Sequence, residues 1–141
     1  MKNSFFFVLF IIVLAGCSVS KKTSLESGNK TSTNVLTEIK FSLILFDGKE
    51  IDSGRVYFTL SSAENRFFGR GFCNSFNGQY FLKGSDTIKF NNMVSTKMAC
   101  PELDAENEFF SMLKQIDSYR FEGKTLLLKS SDNVRAVFSA E

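Results

Sequence analysis

The chain has 141 residues, no histidine, and 17 lysines and arginines against 15 aspartates and glutamates. A chain of this length holds one hydrophobic core, so we expect one folded domain. The lack of histidine removes the usual general base near neutral pH, the Ser-His-Asp arrangement and the common imidazole metal sites. A net charge of +2 gives no basic excess for nucleic acid. We therefore predict a protein that is not an enzyme, holds no metal or cofactor, and binds no nucleic acid.

The first residues have the pattern of a bacterial lipoprotein signal. Lys2 supplies a positive charge, residues 5–14 are a ten-residue apolar run, and Leu-Ala-Gly precedes Cys17. Such a run is too short to span a bilayer, and small residues before the cysteine suit a signal peptidase. We predict that residues 1–16 are removed and that Cys17 carries lipid, which holds the protein on a membrane. An ordinary secretory signal followed by a chance cysteine is the alternative.

Residues 17–34 are rich in serine, threonine and lysine and contain few apolar side chains. This composition predicts a flexible tether between the lipid and a domain over residues 35–141. The expected location is the bacterial cell envelope, facing the periplasm or the cell surface. Ser18 after Cys17 is compatible with sorting to the outer membrane.

Two cysteines remain after the lipid-bearing one, Cys73 and Cys100. An even pair in an oxidising compartment favours a disulfide. Two buried free thiols and a redox dithiol are the alternatives, although the Cys-x-x-Cys spacing of redox proteins is absent.

Short runs of alternating apolar and polar residues predict antiparallel strands with one exposed side. The predicted strands are residues 39–46, 55–60, 87–90, 119–122, 125–129 and 134–138. Cys100-Pro101 followed by acidic residues predicts the start of one helix. Its expected apolar stripe is Leu103, Phe109, Phe110, Leu113 and Ile116. The fold class is therefore α+β, a curved antiparallel sheet or partial barrel with one amphipathic helix packed against it.

Residues 71–80 form the densest local motif of the chain. Asn77-Gly78 favours a turn with positive φ, with Phe76 and Tyr80 as core residues on either side of it. Asn74, Asn77 and the hydroxyl of Tyr80 are candidate binding groups, because together they could line a polar recess.

A second motif, residues 92–101, ends at the predicted helix. Together the two motifs resemble the META domain, the HslJ-like family of bacterial envelope proteins. The matching residues are Gly71, Cys73, Asn74, Gly78 and Tyr80, then Thr96, Met98, Ala99 and Cys100. The helix residues Glu106 and Leu113 and the closing hairpin around Gly123 also fit. Family members commonly have a tryptophan in the first strand, and here Ile39 or Phe41 takes that position.

The resemblance implies a small lipid-anchored or periplasmic domain without established enzymatic activity, associated in some members with stress or antibiotic tolerance. Thr96, Lys97 and Glu106 are the polar positions to inspect first, although an exposed strand edge and helix face also explain them. We expect a non-catalytic envelope lipoprotein that binds a protein or cell-wall partner. The alternative is a lipocalin-like half-barrel for a small apolar ligand, which an internal cavity of several hundred Å3 would favour.

Overall fold

The computed structural model describes residues 36–141, which form nine strands and one α-helix. Buried and exposed residues alternate in most of the longer strands, and buried residues recur at intervals of three or four in the helix. The predicted signal peptide, Cys17 and the tether lie outside the described residues. The elements are β1 (Lys40–Phe46), β2 (Lys49–Glu50), β3 (Tyr57–Ser61), a 3-10 turn (Ala63–Asn65), β4 (Arg66–Arg70), β5 (Ser75–Lys83), β6 (Thr87–Ser95), α1 (Leu103–Gln115), β7 (Ser118–Glu122), β8 (Thr125–Ser130) and β9 (Asn133–Ala140).

The strands form one antiparallel sheet that closes on itself. Neighbours follow the chain order from β3 to β9, and β1 pairs with both β3 and β9. Leu43 lies opposite Phe138 in the pairing that completes the ring. The two-residue β2 adds only to the end of β1. The predicted curved antiparallel sheet with one helix is confirmed, but the sheet closes into an eight-stranded barrel where the sequence predicted a partial one.

Phenylalanine side chains fill the interior of the barrel. The ring of Phe58 lies 4.8 Å from that of Phe138 and 5.9 Å from that of Phe90. Phe90 in turn lies 4.9 Å from Phe67. Phe41 is fully buried, whereas Ile39 is only partly buried against this core. Each fully buried side chain of this size contributes roughly 1.5 to 3 kcal/mol, so the rings are a main source of stability.

The helix α1 lies between β6 and β7, which pair with each other only at Thr87 and Ser118. Phe109 on α1 contacts the rings of Phe46, Phe72 and Phe76, with centroids about 6 Å apart. Through Phe109, the helix therefore packs against β1, β5 and the loop that precedes β5. No helix within residues 36–141 is long and apolar enough to cross a membrane.

The buried side of α1 differs from the predicted stripe at its first turn. Leu103 is 38% exposed. Later in the helix, Met112, which the predicted stripe omits, is buried together with Phe109 and Leu113. The helix begins at Leu103, so Pro101 precedes it. The first turn borders an open groove, which explains why an apolar residue there stays exposed.

The predicted turn at Asn77-Gly78 is wrong, because both residues lie inside β5. Gly78 is absent from the positive-φ glycines of the described chain. A Cβ atom at Gly78 would lie 2.5 Å from Cε1 of Phe67 and 2.8 Å from the carbonyl oxygen of Asn91. The glycine therefore permits close packing inside the barrel, which is another common use of glycine in strands.

Candidate functional site

A groove of about 640 Å3 lies between the end of β6 and one side of α1. Residues 93–99 line one wall, and Asn74 contributes to the base. The other wall consists of helix residues at intervals of three or four positions, which places them on one stripe of α1. They are Leu103, Glu106, Asn107, Phe110, Ser111 and Lys114. We call this feature the β6–α1 groove.

Glu106 is buried at the base of the groove, with 1% of its surface exposed. Its Oε2 accepts hydrogen bonds from the backbone N–H groups of Cys73 at 2.8 Å and Asn74 at 2.6 Å. Its Oε1 accepts one from the side-chain Nδ2 of Asn74 at 2.6 Å. Hydrogen bonds to an ionised acceptor are among the strongest in proteins. Glu106 therefore fastens the loop before β5 to the helix.

Asn74 extends this network to the strand wall. Its Oδ1 accepts hydrogen bonds from the backbone N–H of Met98 and the hydroxyl of Thr96, both at 2.7 Å. Its Nδ2 also lies 3.3 Å from the carbonyl oxygen of Met98. One buried side chain thus connects both walls of the groove, which fixes their separation.

The carboxyl group of Glu106 remains ionised despite its position. Burial alone raises its pKa, but the hydrogen bonds from Asn74 and Cys73 outweigh burial and lower the pKa below its usual value. The alternative prediction, that Glu106 lies on an exposed helix face, is wrong because its side chain is buried. The nearby N–H donors replace the water that such a charge requires.

The structure brings together four of the predicted site residues, Asn74, Thr96, Lys97 and Glu106, at the groove. Lys97 is exposed on the strand wall. Asn77 and Tyr80 lie elsewhere, so the predicted recess of Asn74, Asn77 and Tyr80 does not form.

Strand geometry explains the separation of Asn77 and Tyr80. Successive residues of a strand point to opposite faces, and these two positions are three apart. Oδ1 of Asn77 accepts a hydrogen bond from Arg66 at 2.8 Å, whereas the buried Tyr80 donates one to the carbonyl oxygen of Ser61 at 3.2 Å.

The residue-level prediction missed the exposed apolar side chains of the groove. Val94 is 59% exposed, Met98 is 56% exposed, and Leu103 is 38% exposed. Lys114 adds a second cation to Lys97. The regular spacing of the groove-lining residues along α1 could have indicated this surface in the sequence. These positions overlap with the stripe of α1 that faces the core, so the spacing alone does not separate the two surfaces.

Cys73 and Cys100 lie next in the chain to residues that line the groove. Their sulfur atoms lie at disulfide-bonding distance, and their Cα atoms are 6.2 Å apart, within the usual range for such a bond. Cys73 directly precedes Asn74, and Cys100 follows the strand wall. Within residues 36–141, no three His, Cys, Asp or Glu side chains cluster closely enough to hold a metal ion.

These features define a class of protein, a small closed antiparallel barrel with one helix and an external groove between helix and strand. The family model described as META domain matches residues 34–141, so the chain belongs to the META domain family. This result confirms the resemblance seen in the two sequence motifs. No curated protein matches the chain at a significant level.

Solved structures share this fold at low sequence identity. An NMR structure of a protein from Burkholderia xenovorans has a TM-score of 0.61 and 23% identity, and covers 78% of this chain and 86% of its own. A second NMR structure has a TM-score of 0.60 and 20% identity, with coverage of 75% and 92%. A crystal structure of a DUF4847 family protein from Bacteroides vulgatus has a TM-score of 0.55 and 15% identity, with coverage of 76% and 94%. At these identities, the likeness concerns the fold alone.

Proposed function

We propose that this protein is a non-catalytic binding module of the bacterial cell envelope, held on a membrane by lipid on Cys17. Its META domain binds a partner protein in the β6–α1 groove and thereby supports envelope integrity or tolerance of stress and antibiotics. The observation that carries the proposal is a groove whose walls expose apolar side chains above a rigid polar base.

Exposed apolar groups beside a rigid base favour binding for two reasons. Covering Val94, Met98 and Leu103 would remove apolar surface from water, at roughly 25 cal/mol per Å2. The Asn74–Glu106 network holds both walls in place before a partner arrives, so little conformational entropy is lost on binding.

The lipocalin-like alternative has less support. Phe41, Phe58, Phe67 and Phe138 are fully buried inside the barrel, and their rings occupy the space that an internal ligand would need. The groove instead lies between β6 and α1, beside the barrel. A surface for a partner therefore fits the structure better than an internal pocket for a small molecule.

Rescue of a gene-deletion strain under envelope stress tests both parts of the proposal. Val94→Asp should fail to rescue, because a negative charge at an apolar position of the groove that is 59% exposed opposes binding of an apolar partner. Phe81→Asp should rescue, because Phe81 is 53% exposed but lies on β5 outside the groove. Cys17→Ser should fail and lose fatty-acid labelling, since the thiol is the lipid acceptor.

Each variant is compared at equal abundance in the cell, measured by immunoblotting. Full rescue by Val94→Asp would contradict a role for the groove. Full rescue by an unlabelled Cys17→Ser protein would contradict the need for the anchor.

A further inference from the structure

We propose that the β6–α1 groove recognises an extended acidic peptide segment of a partner protein, which adds as a strand to the free edge of β6. This inference rests on the proposed function and names the chemistry of the partner. Three observations lead to it: an unpaired strand edge, the direction of its backbone groups, and the charge of the groove.

The first observation is that β6 is paired along most of its length on only one of its edges. It pairs with β5 from Thr87 to Ser95, with a shift of register at Asn92 and Met93. On the other edge, β7 meets it at Thr87 alone. Within residues 36–141, the rest of this edge has no strand beside it. An unpaired edge is a template on which an extended peptide can form main-chain hydrogen bonds.

The second observation is the direction of the backbone groups in residues 95–97. The N–H of Thr96 donates to the carbonyl oxygen of Ser75 at 3.0 Å, and the N–H of Met98 donates to Oδ1 of Asn74 at 2.7 Å. The N–H of Thr96 therefore points toward β5, and that of Met98 points toward the residue that precedes β5. In an antiparallel pair, alternate residues direct their N–H and C=O groups to opposite edges.

Ser95 and Lys97 consequently direct their backbone groups away from β5, toward the groove. Ser95 lies opposite Phe76 in the register, next to the hydrogen-bonded pair of Ser75 and Thr96, so its own pair is not hydrogen-bonded. In the described part of the chain, the backbone of Lys97 has no hydrogen-bond partner. These groups are placed to bind the main chain of an added strand.

The third observation is the charge of the groove. Lys97 and Lys114 line it and are exposed, whereas the one lining carboxylate, Glu106, is buried at its base. Because Glu106 is ionised, two cations against one anion leave the lining with a net formal charge of +1. Complementary charge favours a ligand with carboxylates. The chain's own residues 18–33 contain three lysines and one glutamate, which is the wrong sign. The occupant is therefore a segment of another protein that carries acidic and apolar side chains.

Fluorescence anisotropy with synthetic peptides tests this proposal on the full-length protein in detergent. The first probe is a labelled nine-residue peptide that alternates valine and glutamate, and the second has lysine in place of each glutamate. We expect the acidic peptide to bind at least about tenfold more tightly, since like charges oppose the lysine peptide. Lys97→Glu combined with Lys114→Glu should reverse this preference, while Lys83→Glu, at the far end of the β5–β6 hairpin, should preserve it.

Two further peptides test strand addition itself. One carries N-methyl groups on the amides of every valine, and the other on the amides of every glutamate, so that each blocks one edge of the peptide. Addition to β6 uses only one edge of the peptide. One methylated peptide should therefore bind at least about tenfold more weakly than the unmethylated peptide, and the other should keep the affinity of the unmethylated peptide.

Equal binding of the acidic and lysine peptides, equal loss in both methylated peptides, or no binding of the acidic peptide would each overturn this inference. If Val94→Asp still fails to rescue the deletion strain, the proposed function survives such a result. If Val94→Asp rescues fully, the proposed function itself fails.

Discussion

Glu106→Gln is expected to lower the free energy of unfolding by about 2 to 3 kcal/mol, although it replaces only one oxygen with an amide nitrogen. The glutamine oxygen can still accept from the N–H groups of Cys73 and Asn74. Its NH2 group then faces the Nδ2 of Asn74, so two donors oppose each other in a buried site. Asn74 cannot relieve this by turning its amide, because its Oδ1 already accepts from Met98 and Thr96. Urea unfolding followed by circular dichroism measures the change.

Two variants control this experiment. Glu108→Gln, on the exposed side of the same helix, should change the free energy of unfolding by less than about 0.5 kcal/mol. When Asn74→Asp is combined with Glu106→Gln, a carboxylate oxygen at position 74 can accept from the NH2 group at position 106. The double variant should therefore lose less stability than the sum of the losses in the two single variants. Additive effects would contradict the hydrogen-bond arrangement described for the groove base.

The cost of Glu106→Gln should also depend on pH. The folded-state pKa of Glu106 lies below the usual 4.5, because the hydrogen bonds from Asn74 and Cys73 outweigh burial. A lowered pKa adds stability that is fully present above 4.5 and disappears as the pH falls through the folded-state value. The difference between the wild type and Glu106→Gln should therefore be largest near neutral pH and shrink in acid. A difference that stays constant with pH would contradict this account.

Replacing Cys73 and Cys100 with alanine is expected to lower the free energy of unfolding by about 2 to 5 kcal/mol. A bond between them closes a loop with a sequence separation of 27, which restricts the unfolded chain. It would also tie the loop beside Asn74 to the end of the strand wall. Urea unfolding compares the oxidised wild type with the double variant.

Reduced wild-type protein is the matched control and should unfold close to the double variant. Alkylation of the denatured, unreduced protein from its native envelope should leave both thiols unmodified. Modification of Cys73 and Cys100 in that experiment would show that the pair is not bonded, and the stability difference would then have another cause.

Local features of this fold were predictable from the sequence, because they depend on neighbouring residues. The alternation of Val56, Phe58 and Leu60 predicts a strand face, and all three are fully buried. The closure of the barrel depends on the pairing of Leu43 with Phe138. These residues are far apart in the chain, and no local periodicity encodes that pairing.

The site was harder to predict than the fold for the same reason. The donors that allow Glu106 to be buried lie 32 and 33 positions away, so its sequence neighbours suggested an exposed helix face. Gly78 illustrates a different limit. Asn-Gly favours a turn, but contact with Phe67 from a neighbouring strand overrides that local preference.

The central claim is that partners bind the β6–α1 groove, and photo-cross-linking in living cells tests it most directly. A benzophenone amino acid replaces Val94 in one strain and Phe81 in another, two exposed positions inside and outside the groove. The account predicts a discrete protein adduct from position 94 and none from position 81. Equal adducts from both positions, or an adduct from position 81 alone, would contradict it.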